Sequence, residues 1–252
     1  MRGRVPPRPL SEIATAAARV FTEKGYKAAG ISDVAAVLGL SHGALYTYAD
    51  SKETLLSLAI RYLAEPETLD TMTIPVSMPG RAGIAGIGAR PAAPPSVPAL
   101  AAALRRRTRP AAEELGGIID QLYGYVESNQ RLLALVESCA RDVPELAELH
   151  FVRGRRGLLD QLGDYLRRRI KSGHLRPVPD IPTSARFIVE TIAWFAWHRH
   201  GDPDSLMLND DDCRRTVRHL LLAAFRPSGP SLSGSAGGKE NRGTDGNADR
   251  GS

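Results

Sequence analysis

Two short apolar helical periods, one ending at Gly39 and the next starting at Ser41, leave the stretch from Gly30 to Lys52, GISDVAAVLGLSHGALYTYADSK, few ways to fold. Ile31, Val34, Val37 and Leu38 give a helix that is apolar on one side and stops at Gly39, a residue suited to the left-handed position past a helix end. Ser41 is an N-cap for a second, very short helix that turns Leu45 and Tyr48 inward, with Leu40 plugging the turn between the two. The stretch reads as a helix-turn-helix. Asp50 and Glu53 form an acidic variant of the capping box for the helix that follows, which buries Leu55, Leu58, Ala59 and Tyr62 and ends at Pro66. Upstream, Ile13, Ala16, Ala17, Val20 and Phe21 mark one face of a helix that starts at Leu10 and has Gly25 as its left-handed terminator.

The rest of the chain divides by composition. Residues 1–9 read as a flexible basic arm, 10–65 as the helix-turn-helix domain, and 66–110 as a linker or insertion rich in Pro, Ala and Arg, with no apolar period long enough for a stable element between Thr73 and Pro110. Its basic end, LRRRTR at Leu104 to Arg109, can touch phosphate or simply be a solvated linker. Helical periodicity resumes over 111–226 with Leu115, Ile118, Ile119, Leu122 and Val126, then Leu132, Leu135, Val136 and Cys139, then Leu158, Leu162, Tyr165 and Leu166 up to Gly173. From Pro182 to His200, apolar and aromatic residues surround most of a helix, which therefore needs cover on more than one side; a last helix, Cys213 to Phe225, follows the acidic run Asp210 to Asp212. Residues 227–252 are Gly, Ser and charge and read as a disordered tail. No hairpin signal or repeat of solenoid period occurs, so the fold class is all-α.

Reading DNA through the major groove requires a narrow helix whose first turn faces base edges while its back is held by apolar packing. Here Leu45 faces the core, His42, Gly43 and Thr47 lie at or near the outward face, and Gly43 and Ala44 are small enough for close approach. Tyr46 and Tyr48 have hydroxyls for phosphate, and Lys52 sits at a helix start where free N–H groups favour an anion. The plainer alternatives are that both tyrosines pack between short helices and that His42 is a surface histidine. A net charge of +5 suits a polyanionic partner without requiring one.

These residues carry a resemblance. From about Leu10 to Leu63 the chain resembles the N-terminal DNA-binding domain of the TetR/AcrR family of bacterial transcriptional regulators: Phe21 with Gly25-Tyr26, the Val34-Ala35 pair, Gly39, Leu45-Tyr46-x-Tyr48, and Ser51-Lys52. The resemblance implies a three-helix head joined by a fourth helix to a C-terminal helical domain that binds ligand and dimerises. It further implies a homodimeric, cytoplasmic, nucleoid-associated regulator, a repressor released from palindromic double-stranded operator DNA by a small-molecule effector. By residue, it implies base contacts from His42, Gly43 and Thr47, phosphate contacts from Tyr46, Tyr48 and Lys52, and accessory contact from Ser32, with Ser41 and Ala44 in the same element. Two positions depart from the family pattern: Ala49 stands where Phe is usual, and Gly30 where Ser or Thr commonly caps the second helix.

Dimerisation is expected through helices 182–200 and 213–225, packed on their symmetry mates as a four-helix bundle. Tyr123, Cys139, His150, Trp194, Trp197 and His198 are candidates to line an effector pocket, the alternative being core or dimer packing. His198 and His200 point to different sides of a helix, and the two cysteines, Cys139 and Cys213, lack ligand spacing, so no metal site is expected. No cofactor motif appears, nor GxSxG, a phosphate-cradling Gly loop or a paired acid and base, which argues against an enzyme. The remaining alternative is a non-specific architectural DNA-binding protein using the Arg-rich insertion. Neither a secretory h-region nor a membrane span is indicated.

Overall fold

The computed structural model describes residues 8–77, 97–105 and 110–227. The arm expected at the N-terminus (apart from its last two residues), most of the insertion, the arginines of its basic end beyond Arg105 and the tail from 228 lie outside them.

Among the described residues every regular element is helical: α1 Leu10–Ala28, α2 Ile31–Leu38, α3 His42–Leu45, α4 Lys52–Ala64, a 3-10 turn Pro66–Thr71, α5 Pro98–Arg105, α6 Ala111–Ser128, α7 Gln130–Ala140, α8 Pro144–Ala147, a π-helix Glu148–Arg156, α9 Gly157–Lys171, α10 Ile181–Ala196, 3-10 turns His198–Gly201 and Pro203–Ser205, and α11 Asp210–Phe225. Ile13, Ala17, Val20 and Phe21 of α1 are buried against α4 and α7. Gly25 has φ +75°, a left-handed value as expected, but a further helical turn carries the element on to Ala28.

Two cores result. One joins α1 to α4 with Leu132, Leu135, Val136 and Cys139 of α7; the other joins α5, α6, α9, α10 and α11. The first core is thus completed by a helix from the C-terminal half. Packing also supplies α5 where the composition gave no element: Leu100 and Ala103 are buried, the Ala99 amide donates to the Gln121 side chain at 2.9 Å, and Arg168 and Arg169 donate to the carbonyls of Leu104 and Ala103.

The helix expected to continue to His200 stops at Ala196, where Trp197 leaves helical geometry (φ −141°, ψ −65°). Side chains take over the last carbonyls: Arg199 and Tyr123 donate to Phe195, and Gln130 to Ala196. The helix expected from Cys213 begins a turn earlier, with Asn209 accepting from the Asp212 amide and the three aspartates in its first turn. Phe187 and Trp194 of α10 and Leu220 of α11 remain 57%, 38% and 59% exposed.

Candidate functional site: a helix-turn-helix head and an apolar cavity

At the start of α2, the Gly30 amide donates to Asp33 at 2.8 Å, and Lys24 pairs with the same carboxylate at 2.8 Å. The Lys24 hydrogen bond, then that of Gly30, holds the Asp33 carboxyl below its usual range. The end of α2 is a Schellman motif: Gly39 at φ +64° donates to Ala36, and Leu40 to Ala35 at 2.9 Å. Ser41 then caps α3 by accepting from the Ala44 amide at 3.1 Å. Beyond Leu45 the backbone tightens into i to i−3 bonds, Thr47 to Ala44 and Tyr48 to Leu45. This fully specified turn leaves Leu45 without exposed surface and turns His42, Gly43, Tyr46 and Thr47 outward, beside exposed Ser32 and Ser41; Ala44 is half-buried. The His42 ring meets Tyr46 edge-on at 5.2 Å. A Cβ at Gly43 would meet nothing within 4 Å, so no packing inside the chain requires glycine there.

Tyr48 corrects the expectation of a phosphate contact. It is 8% exposed, and its hydroxyl accepts from the Arg8 amide at 2.9 Å, which ties the start of the described chain to the back of α3. The acidic capping box is corrected as well. Ser51 is the N-cap of α4, accepting from the Thr54 amide at 3.1 Å, while Asp50 accepts from the Thr54 hydroxyl at 2.6 Å and Glu53 from Tyr26 at 2.7 Å. Hydrogen bonds from Ser77 and Thr54 hold the Asp50 carboxyl low. Behind α3, at Ala49, the chain returns: the Val76 amide donates to the Tyr48 carbonyl at 2.8 Å and the Asp50 amide to that of Val76, which brings the buried Val76 beside Ala49 in the first core. Lys52 is half-buried, its ammonium 4.5 Å from the centre of the Tyr26 ring and 3.4 Å from the Lys27 carbonyl.

In the C-terminal half, α6, α7, the π-helix, α9 and α10 line a cavity of about 110 Å³. Of the expected lining residues, His150, Trp197 and His198 are on its wall. Tyr123, Cys139 and Trp194 are not. Tyr123 is buried in the second core, Cys139 faces α1 with its thiol on the Phe21 carbonyl, and Trp194 packs edge-on against Phe195 at the surface. Burial pushes the Cys139 thiol up to about 12, far from reactive thiolate chemistry. The sequence reading missed Glu137 and Arg155. Glu137 meets His150 at 3.3 Å, and the π-helix that carries His150 and Arg155 has no sequence signature. Among the described residues no cluster of His, Cys, Asp and Glu could hold a metal, and no helix is long and apolar enough to cross a membrane.

The profile of bacterial regulatory proteins of the tetR family matches residues 13–59, which contain the whole helix-turn-helix. That stretch is a helix-turn-helix of the TetR type. It is 23% identical over 210 residues to the HTH-type transcriptional repressor KstR2 of Mycolicibacterium smegmatis, covering 79% of this chain and 84% of that one. Its fold matches the ketosteroid transcriptional regulator KstR2 of Mycobacterium tuberculosis with a TM-score of 0.55 at 20% identity, covering 90% and 98% of the two chains. A second match is AibR, solved with isovaleryl coenzyme A and operator DNA, at TM-score 0.51 and 16% identity over 85% and 98%. With this TetR-type head, and a remainder that is helical among the described residues, the chain is a DNA-binding transcriptional regulator.

Proposed function

We propose that the protein is a homodimeric repressor that reads a palindromic operator and releases it when a small molecule enters the cavity. The observation that carries the reading is the first turn of α3: capped by Ser41, anchored by Leu45, and open at His42, Gly43 and Thr47. Those three contact base edges, with Gly43 and Ala44 letting the backbone approach; Tyr46 and Lys52 contact phosphate, and Ser32 supports them from α2. Tyr48 holds the arm and the helix in place instead. The exposed Phe187, Trp194 and Leu220 form the dimer face on α10 and α11. The relative from M. smegmatis is a repressor, and AibR was solved with both isovaleryl coenzyme A and operator DNA; both support the reading.

Selection of genomic fragments on the purified protein tests it: the recovered sites should share a dyad. Binding that shows no preference over scrambled DNA would remove the reading. His42→Ala should relax base preference at one position of each half-site by roughly tenfold or more. Lys52→Ala should instead weaken all sequences alike and lower the slope of log affinity against log salt by about 0.9 for each phosphate that the lysine neutralises. A reversal of the two patterns would exchange the assigned roles. Sedimentation at micromolar concentration should give twice the chain mass, and the doubly substituted Phe187→Asp/Trp194→Asp protein should sediment as a folded monomer.

A further inference from the structure

The cavity has an uneven wall. Leu122, Val126, Leu132, Leu158 and Ile192 make most of it hydrocarbon, and the charged groups are gathered on and beside the π-helix. A π-helix widens each turn and shifts side chains out of α-helical register, and such segments recur at functional sites. Here it sets both His150 and Arg155 against the cavity.

At Glu190, beside the cavity, two cations meet one anion. Arg155 and Arg186 both bond to the same oxygen, Oε1, of Glu190, Arg186 at 2.7 Å and Arg155 by a shorter contact. Two guanidiniums therefore share one carboxylate. A guanidinium has five N–H donors, so Arg155, which lines the cavity, has donors beyond the one given to Glu190. When it turns to another acceptor, Glu190 keeps Arg186. The other acid on the wall, Glu137, already accepts from His150, whose hydrogen bond holds its carboxyl below the usual range. His198 stacks on Trp197 at 4.1 Å. A cation entering the cavity would meet carboxylates that are already partnered, whereas an anion would meet a guanidinium with donors to spare.

We infer that the cavity takes a small organic acid, a compact hydrocarbon body whose carboxylate is received by Arg155. This rests on the proposal that the cavity is the effector site. Size limits the body: an apolar cavity of about 150 Å³ accepts benzene, so about 110 Å³ sets an upper limit of about six carbons for the ring or branched chain, with the carboxylate at the cavity wall. A guanidinium can meet a carboxylate with two parallel N–H donors, which neutral and cationic groups cannot match.

Calorimetry on the full chain with cyclohexanecarboxylate, cyclohexanecarboxamide and cyclohexylmethylamine tests the inference. The acid should bind at least tenfold more tightly than the amide, and the amine should not bind. Arg155→Gln should reduce acid affinity at least tenfold, to the level of the amide, while leaving the amide unchanged. Arg186→Gln, at the surface, should also weaken the acid, because Glu190 would then lose its last partner whenever Arg155 turned away. An amide or amine that binds as well as the acid, an acid affinity indifferent to Arg155, or no binding of any of the three to a protein that melts cooperatively, overturns the inference. Operator binding measured in parallel separates it from the regulatory reading: an acid that binds without releasing DNA preserves the ligand class and removes effector control, and release by a neutral compound does the reverse.

Discussion

Glu114→Gln should lower the stability of the full chain by about 3–5 kcal/mol, the usual cost of removing one member of a buried ion pair. The side chains of Glu114 and Arg169 are 6% and 12% exposed, and they meet as a fork: Arg169 Nε donates to one carboxylate oxygen at 2.7 Å and Nη2 to the other at 2.8 Å. Nη2 also donates to the Ala103 carbonyl at 3.1 Å, and Arg168 to that of Leu104 at 2.9 Å, so the same arginines hold the last turn of α5. Glutamine keeps the shape of the glutamate but turns an N–H group toward N–H donors and removes the carboxylate charge that faces the guanidinium. A fall in the denaturant midpoint at unchanged m-value measures the effect, accompanied by faster proteolysis within 97–105. A loss below about 1 kcal/mol would mean that water reaches the pair and that α5 is held by Leu100 and Ala103 alone.

That helix also shows where sequence was silent. Its only apolar spacing is Leu100, Ala103 and Leu104 in a run of alanines, and its ends are satisfied by Gln121, Arg168 and Arg169 from distant elements. No window of neighbouring residues contains those partners. The turn from Gly39 to Ser41 is the opposite case: the left-handed glycine, the Ser cap and Leu45 all act within a few residues, and the structure has all three as read. Capping of α4 was legible only to within one residue, because Asp50, Ser51 and Glu53 are all competent acceptors and Ser77 and Tyr26, outside the local sequence, decide which acid goes where. The cavity was half legible for a similar reason. Trp197, His198 and His150 stood out by type, but Cys139 lies on a helix buried on two sides, and one helical period cannot say which side faces a cavity.

Leu135→Ala should cost about 2–5 kcal/mol, and the loss should appear in the head although the residue belongs to α7. Leu135 has no exposed surface and packs in the core shared by α1 and α4. Beside it, the Ser138 hydroxyl lies 3.3 Å from the Phe21 carbonyl and 3.0 Å from that of Thr22, and the Asp142 carboxylate accepts from the Lys27 amide at 2.7 Å. These contacts grip α1 on both sides of Gly25, whose φ of +75° and ψ of 166° interrupt the helix. The adjoining face of α7 gives Leu132, Leu133, Val136 and Glu137 to the cavity. Leu132 and Val136 belong to both environments, so a ligand that displaces them bears directly on the helix gripping the head. Hydrogen exchange reads the coupling: amide protection in α1 and α7 should fall together in Leu135→Ala, with operator affinity weakened although α3 is untouched. If protection fell in α7 alone, the two helices would open independently, and effector control would need another route to the DNA.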